Sequence, residues 1–101
     1  IPSANGLTPL YTAIFHKEHS ITDLLLKNGA DPDKQPDSRE NTPLTIACMR
    51  QNKPGIELLL KYGADPNKPN KYGETPMAIV SDDDDNAELV ELLVKYGAKL
   101  D

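Results

Sequence analysis

The chain has 101 residues, of which 38% are hydrophobic, which is enough for one small domain. Its formal charge of −5 argues against broad affinity for nucleic acid or anionic membranes, because both require a positive field on the protein. It holds a single cysteine and lacks an apolar run of about 18 residues, which excludes an intrachain disulfide and predicts no membrane insertion. We expect a basic partner and a cytoplasmic or nuclear location.

A short helix is predicted after Thr8, and the same start signal opens three segments. Threonine can accept a hydrogen bond from an orphan amide, and the fixed φ of proline suits the first helical turn. Apolar residues then follow at a spacing typical of one buried helix face. The starts are Thr8-Pro9, Thr42-Pro43 and Thr75-Pro76, and the predicted inward residues are Leu10, Ala13, Ile14, Leu44, Ala47, Cys48, Met77, Val80 and the more polar Ser81.

A second helix is predicted in each segment after a polar stretch. Ser20 followed by Asp23 fits a capping box, in which a serine oxygen and an acidic side chain satisfy the first amides. Asn52 can cap a helix that has Pro54 in its opening turn. In the third segment, Asp-Asp-Asn at 84–86 supplies negative charge and cap oxygens where the helix dipole favours them.

All three second helices are predicted to end at a glycine that follows Lys-Asn or Lys-Tyr, a pattern typical of helix C-termini. These glycines are Gly29, Gly63 and Gly97. Pro32 and Pro66 then disfavour continuation of the helix. The following segments, 31–41 and 65–74, are rich in Asp, Asn, Pro, Lys and Gly, so they predict turns that project sideways.

This order of signals recurs at a nearly fixed period. The Thr-Pro pairs begin at positions 8, 42 and 75, and the Gly-Ala pairs begin at positions 29, 63 and 97. A constant period within the range of about 20 to 50 residues indicates a solenoid of stacked repeats. The repeated motifs in the first segment are Thr8-Pro9-Leu10, Leu24-Leu25-Leu26 and Gly29-Ala30-Asp31. Their counterparts begin at Thr42, Leu58 and Gly63 in the second segment and at Thr75, Leu92 and Gly97 in the third.

The chain thereby resembles the ankyrin repeat, whose pattern runs roughly G-x-T-P-L-H-x-A, a hydrophobic run ending in L-L-L, and then G-A-D-x-N. The resemblance covers nearly the whole chain. It implies an all-α ankyrin-repeat solenoid of stacked antiparallel helix pairs with projecting β-hairpin loops. We expect one domain over 1–101, with repeat 1 at about 3–36, repeat 2 at about 37–69 and repeat 3 at about 70–101.

Several positions depart from the family pattern. A loop glycine is present as Gly6 and Gly73 but is Glu40 in the middle repeat, so we expect a locally reshaped loop there. One residue is inserted within 82–85, which predicts a bulged, solvated turn. The family histidine is replaced in every repeat, by Tyr11, Thr45 and Ala78. These departures predict modest stability, with fraying at both ends.

The last helix shows Val90 and Val94 beside its packed stripe. Because terminal repeats normally need polar outer faces, we expect the chain to be a segment of a longer protein with further ankyrin repeats. The alternative is a naturally small domain whose end is protected by charged side chains. Those are Asp82, Asp83, Asp84, Asp85, Glu88, Glu91 and Lys95.

The resemblance also implies where a partner binds, namely the loop tips and the exposed side of the first helices. The corresponding residues are Asn5, Leu7, Phe15, His16, Arg39, Asn41, Met49, Arg50, Tyr72, Glu74 and Asp82. Apolar, aromatic and arginine side chains together are typical of interface hot spots. The alternative is that Phe15 and Met49 pack on each other and that Tyr72 covers its own loop.

Catalytic and metal chemistry is disfavoured. An EF-hand loop beginning at Asp82 would lack the glycine at its sixth position and the glutamate at its twelfth. His16 and His19 lie three residues apart, but no cysteine or carboxylate completes a convincing metal site. Cys48 falls on the packed face of a first helix, where a thiol is inert. No nucleophile, phosphate or dinucleotide motif is present, so we expect no enzyme and no cofactor.

The sequence therefore predicts a non-catalytic module for protein-protein interaction. The second hypothesis is a structural spacer within a longer ankyrin array, which positions another domain. The resemblance also implies one modification, because the asparagine after G-A-D-x in ankyrin loops can be hydroxylated, and Asn67 occupies that place. The alternative is that Asn67 serves only as a turn former.

Overall fold

The computed structural model describes residues 8–34, 39–81 and 86–99. These residues form three consecutive pairs of short helices, and no strand occurs among them. The loops between pairs therefore project without a regular β ladder in their described parts. The helices are α1 (Pro9–Phe15), α2 (His19–Lys27), α3 (Pro43–Met49), α4 (Lys53–Lys61), α5 (Pro76–Val80) and α6 (Ala87–Lys95).

The predicted threonine caps of α1, α3 and α5 are confirmed. Each threonine has extended backbone geometry, and its Oγ1 accepts a hydrogen bond from the amide three residues later. The N–H···Oγ1 distances are 3.1, 3.0 and 3.2 Å. Proline follows the cap in every case, where its missing N–H leaves no donor unsatisfied.

The second helices start in three different ways. Asn52 caps α4 as predicted, because its Oδ1 accepts from the Gly55 amide at 3.1 Å. The capping box at Ser20 was wrong, since the N-cap of α2 lies two residues earlier, at Glu18, and Glu18 makes no side-chain cap bond. Asn86 stands at the N-cap of α6, but its Nδ2 instead donates to a carbonyl of α5.

All three second helices end at the predicted glycines. Gly29, Gly63 and Gly97 have φ of 95°, 95° and 101°, the left-handed conformation that closes a helix at little steric cost. In α2, the amides of Gly29 and Ala30 donate to carbonyls of the last turn, at 3.1 and 3.0 Å. These bonds satisfy carbonyls that the helix leaves unpaired.

The core runs along the stack of helix pairs. α1 packs on α2 and α3, α3 on α4 and α5, α2 on α4, and α6 on α4 and α5. Repeat 2 has neighbours on both sides, so every residue from 41 to 48 is buried. Of the predicted inward residues, Ser81 alone is exposed, because α5 ends at Val80. Among the described residues, the largest fully buried apolar side chains are Ile14, Leu44, Ile56, Leu59, Val80 and Leu93.

Polar side chains also join successive repeats. Asn52 Nδ2 donates to the carbonyl of Ile14 at 3.0 Å. At the helix ends, Asp33 Oδ1 accepts from the Asp65 amide, and Asn67 Oδ1 accepts from the Lys99 amide, both at 2.8 Å. Asp33 and Asn67 occupy equivalent positions after Gly29 and Gly63, so the same contact recurs between successive repeats.

The loop before α3 has the same sign of φ at Glu40 as the loop before α5 has at Gly73. Glu40 has φ of 58° and Gly73, its counterpart before α5, has φ of 78°. Both are left-handed, although a side chain makes this conformation costly at Glu40. Residues 35–38 of the same loop lie outside the described part, so the expected local reshaping stays a prediction. The predicted turn at 82–85 also lies outside it.

Candidate functional site

Most of the predicted contact residues are exposed, at the ends of first helices and in the loops that precede them. Phe15 and His16 end α1, Met49 and Arg50 end α3, and Tyr72 projects from the loop before α5. We call the exposed set the ridge surface, and it comprises Phe15, His16, Arg39, Met49, Arg50, Tyr72 and Glu74. Asn5, Leu7 and Asp82 lie outside the described residues.

Asn41 was wrongly predicted as a contact residue. Only 2% of its surface is exposed, and its Oδ1 accepts a hydrogen bond from Asn70 Nδ2 at 3.0 Å. A side chain so deeply enclosed cannot meet a partner without opening the loops. Its role is therefore to hold two successive loops together.

Asn70 organises the loop that carries Tyr72. Its Oδ1 accepts from the amides of Tyr72 and Glu74 at 2.9 and 3.0 Å, and its Nδ2 also donates to Glu74 Oε1 at 2.9 Å. The Lys71 amide donates to the carbonyl of Arg39 at 2.8 Å. The sequence analysis missed Asn70, because a single asparagine in a polar loop has no periodic signal.

Phe15, His16 and Arg50 form a cluster across the first two repeats. The Arg50 guanidinium carbon lies 4.5 Å from the centre of the Phe15 ring, and Arg50 Nε donates to the Phe15 carbonyl at 3.2 Å. The rings of Phe15 and His16 meet edge to face, with centres 5.2 Å apart. A cleft of about 250 Å³ adjoins this cluster and is lined by Tyr11, Thr12, Phe15 and His16.

The large apolar side chains of the ridge surface keep a substantial part of their area in solvent. Phe15 and Met49 are 39% and 43% exposed, and the group that covers the Phe15 ring is Arg50. Tyr72 is 65% exposed, so most of its surface is open to solvent. Large exposed apolar groups near arginine are available to a partner.

A second cleft, of about 500 Å³, lies between α4 and α6, away from the ridge surface. Its walls include Leu58, Leu92, Glu57, Lys61 and Lys95. Apolar and oppositely charged groups alternate there, so its lining singles out no particular ligand. The ridge surface, with its clustered aromatic and arginine groups, is the better candidate site.

The predicted core position of Cys48 is confirmed. Cys48 is buried, and desolvation raises the pKa of its thiol to about 12, which leaves almost no nucleophilic thiolate at neutral pH. Among residues 8–34, 39–81 and 86–99, no three His, Cys, Asp or Glu side chains converge to hold a metal ion. In the same residues, no helix is long and apolar enough to cross a bilayer.

Stacked helix pairs joined by projecting loops define a helical-repeat solenoid, a class in which each unit contacts mainly its neighbours. Two models of one protein family match the chain. The family described as "Ankyrin repeat" matches residues 5–37, and "Ankyrin repeats (3 copies)" matches residues 33–101. The chain belongs to the ankyrin repeat family. No curated protein matches it as a relative. Ankyrin repeats are generally protein-interaction modules and are typically non-catalytic.

Proposed function

We propose that this chain is a non-catalytic module that binds a protein or peptide along the ridge surface. The observation that supports it most directly is the exposure of Phe15, Met49 and Tyr72, together with the stacking of Arg50 on the Phe15 ring. Burial of such groups by a partner removes apolar area from water and costs little reorganisation, because the surface is already ordered.

The experiment compares two triple variants in affinity capture from cell lysate. The first variant, called the ridge variant, removes the apolar groups of the ridge surface and carries Phe15→Ala, Met49→Ala and Tyr72→Ala. The matched control removes exposed apolar groups of the second helices, and it is Leu24→Ala, Val94→Ala, Tyr96→Ala. Both proteins are first shown to be folded by circular dichroism.

We expect a captured protein to be retained by the wild type and by the control but lost with the ridge variant. Its binding is then measured with purified components, where the ridge variant should weaken affinity at least about 30-fold, or about 2 kcal/mol. Equal loss with both triple variants would contradict a site on the ridge surface.

A structural spacer is the second candidate, and one observation favours it. Ile21 and Leu24 on α2 are large, apolar and exposed. Their counterparts on α4, Gly55 and Leu58, are buried and half-buried. A further repeat stacked on α2 would cover Ile21 and Leu24. A spacer should bind nothing through the ridge surface but should gain stability when a capping repeat is fused before residue 1.

We also propose that Asn67 is a hydroxylation site. Its Nδ2 donates to the Gly97 carbonyl at 3.1 Å and its Oδ1 accepts from the Lys99 amide, so a hydroxylase would have to loosen this loop to reach it. Intact mass after incubation with an asparaginyl hydroxylase tests the site. One added oxygen that is absent from Asn67→Ala supports it, and an unchanged mass rejects it.

A further inference from the structure

Arg50 is held in place by two contacts that leave most of its donors unused. Its Nε donates to the Phe15 carbonyl, and its guanidinium stacks on the Phe15 ring. The hydrogen bond from Nε uses one of the five N–H groups of the guanidinium. Within the described part of the chain, the two terminal nitrogens have no protein acceptor. The planar end of an exposed arginine is therefore oriented before any partner arrives.

An ordered guanidinium is suited to one chemical group above others. Its parallel N–H donors match the two oxygens of a carboxylate or phosphate, and ordering it beforehand reduces the entropy lost on binding. Both α1 and α3 end at this point, and helix C-termini carry partial negative charge. A single arginine in that setting favours a singly charged carboxylate over a doubly charged phosphate.

The neighbouring cleft adds an apolar requirement. Phe15 lines this cleft and also stacks under Arg50, so the two subsites share one ring. A partner that fills both must therefore present its carboxylate and an apolar side chain from neighbouring positions of its own chain, because one shared ring leaves little distance between the subsites.

We propose that Arg50 anchors a carboxylate side chain of the bound protein, and that an adjacent apolar side chain of that protein enters the cleft beside Phe15. This inference rests on the proposed function, since it names the chemistry recognised at one end of the ridge surface. It is compatible with a partner that is basic overall, because the formal charge of −5 describes the whole chain and the anchor is a local positive group.

The test uses two probes that differ only in the carboxylate, N-acetyl-Leu-Glu-amide and N-acetyl-Leu-Gln-amide. Each is titrated into the isotope-labelled protein, and NMR follows the Arg50 Nε–H and the Phe15 ring. We expect saturable shifts at both groups with a dissociation constant on the order of 1 mM for the glutamate probe, and about ten-fold weaker binding of the glutamine probe.

Two variants assign the preference to Arg50. Arg50→Gln should abolish the ten-fold difference in affinity between the probes. Arg50→Lys should keep only part of that difference, because lysine has the positive charge but not the parallel N–H donors of the guanidinium. Lys27→Gln is the matched control, since it removes one exposed positive charge from the end of α2, and it should leave the difference unchanged.

Several results would overturn the inference. The first is equal affinity for the two probes, and the second is the absence of NMR shifts at Arg50 and Phe15 with the glutamate probe. The third is that Lys27→Gln reduces the difference between the probes as much as Arg50→Gln does. The probe comparison is made on the wild-type protein, so a poorly folded variant would not hide the answer. If the ridge triple variant loses a captured partner while the probes show no carboxylate preference, the proposed function stands and this inference fails.

Discussion

Asn70 Nδ2 lies 3.0 Å from Asn41 Oδ1, and this buried hydrogen bond ties the loop before α5 to the loop before α3. The same Asn70 side chain accepts from the amides of Tyr72 and Glu74. The exposed side chains of that loop are thus carried by a buried polar centre. The ridge surface is therefore ordered in part by side chains that lie beneath it.

Asn70→Ala should lower the free energy of unfolding by about 2 kcal/mol, because it leaves buried groups of the loop without their partners. Urea unfolding measures the change. Asn28→Ala is the control, since Asn28 Nδ2 donates to a carbonyl at the exposed end of α2, and it should cost no more than about 0.5 kcal/mol. Similar losses for both variants would refute a special role for Asn70.

Lys17 and Gln51 have left-handed φ values of 58° and 53° at equivalent turns between the helices of repeats 1 and 2. This conformation strains a residue that has a Cβ by about 1 to 2 kcal/mol, and substitution by glycine relieves the strain. Glycine also raises the entropy of the unfolded chain, which offsets part of the stability gained. Gln51→Gly should therefore stabilise the protein by about 0.5 to 1 kcal/mol in thermal or urea unfolding. Gln51→Ala keeps the Cβ and should give no such gain; an equal gain would show that strain is not the cause.

Asn52 makes two bonds of different kinds, one as cap of α4 and one to the Ile14 carbonyl of the preceding repeat. Asn52→Asp keeps the cap acceptor but removes the donor to Ile14 and places a carboxylate beside a carbonyl. We expect a loss of about 2 kcal/mol or more at neutral pH, measured by urea unfolding. Stability close to wild type would mean that the bond between repeats contributes little.

Tyr62 should make stability depend on alkaline pH. Its hydroxyl donates to Asp23 Oδ1 at 3.0 Å. This hydrogen bond is the largest cause of a raised pKa of Tyr62, and desolvation and the negative charge of Asp23 raise that pKa further. The folded state holds the phenol proton more tightly, so the stabilisation is complete below the unfolded pKa of about 10 and is lost as pH rises through the folded pKa. Wild type should be more stable than Tyr62→Phe at about pH 8, and this difference should shrink by about pH 11. A constant difference would contradict the linkage.

Cys48 should resist alkylation in the folded protein. Raising a thiol pKa from 9.0 to about 12 lowers the thiolate fraction at pH 8 by about a thousand-fold, and burial restricts access further. Labelling with iodoacetamide should therefore be at least that much slower in buffer than in concentrated urea. Because Cys48 is the sole cysteine, mass spectrometry reads the rate without ambiguity. Comparable rates in buffer and in urea would place the thiol outside the core.

Local signals in the sequence account for much of the fold. The pairs Thr8-Pro9, Thr42-Pro43 and Thr75-Pro76 start the first helices, and glycines end the second helices, because caps depend on a few neighbouring residues. The inward faces followed from helical periodicity, and the fixed period indicated stacking. Ser20 failed because an upstream residue, Glu18, takes the cap position.

The sequence by itself determined the repeat, the helix order, the threonine caps of the first helices and the exposed apolar groups of the candidate site, since each depends on local spacing. Only the tertiary structure decided which polar residues the stack encloses. It buried Asn41 against Asn70 and placed Arg50 on Phe15, and both pairs join residues from different repeats. Such contacts depend on how one repeat is set against the next, and that geometry arises from packing across repeats.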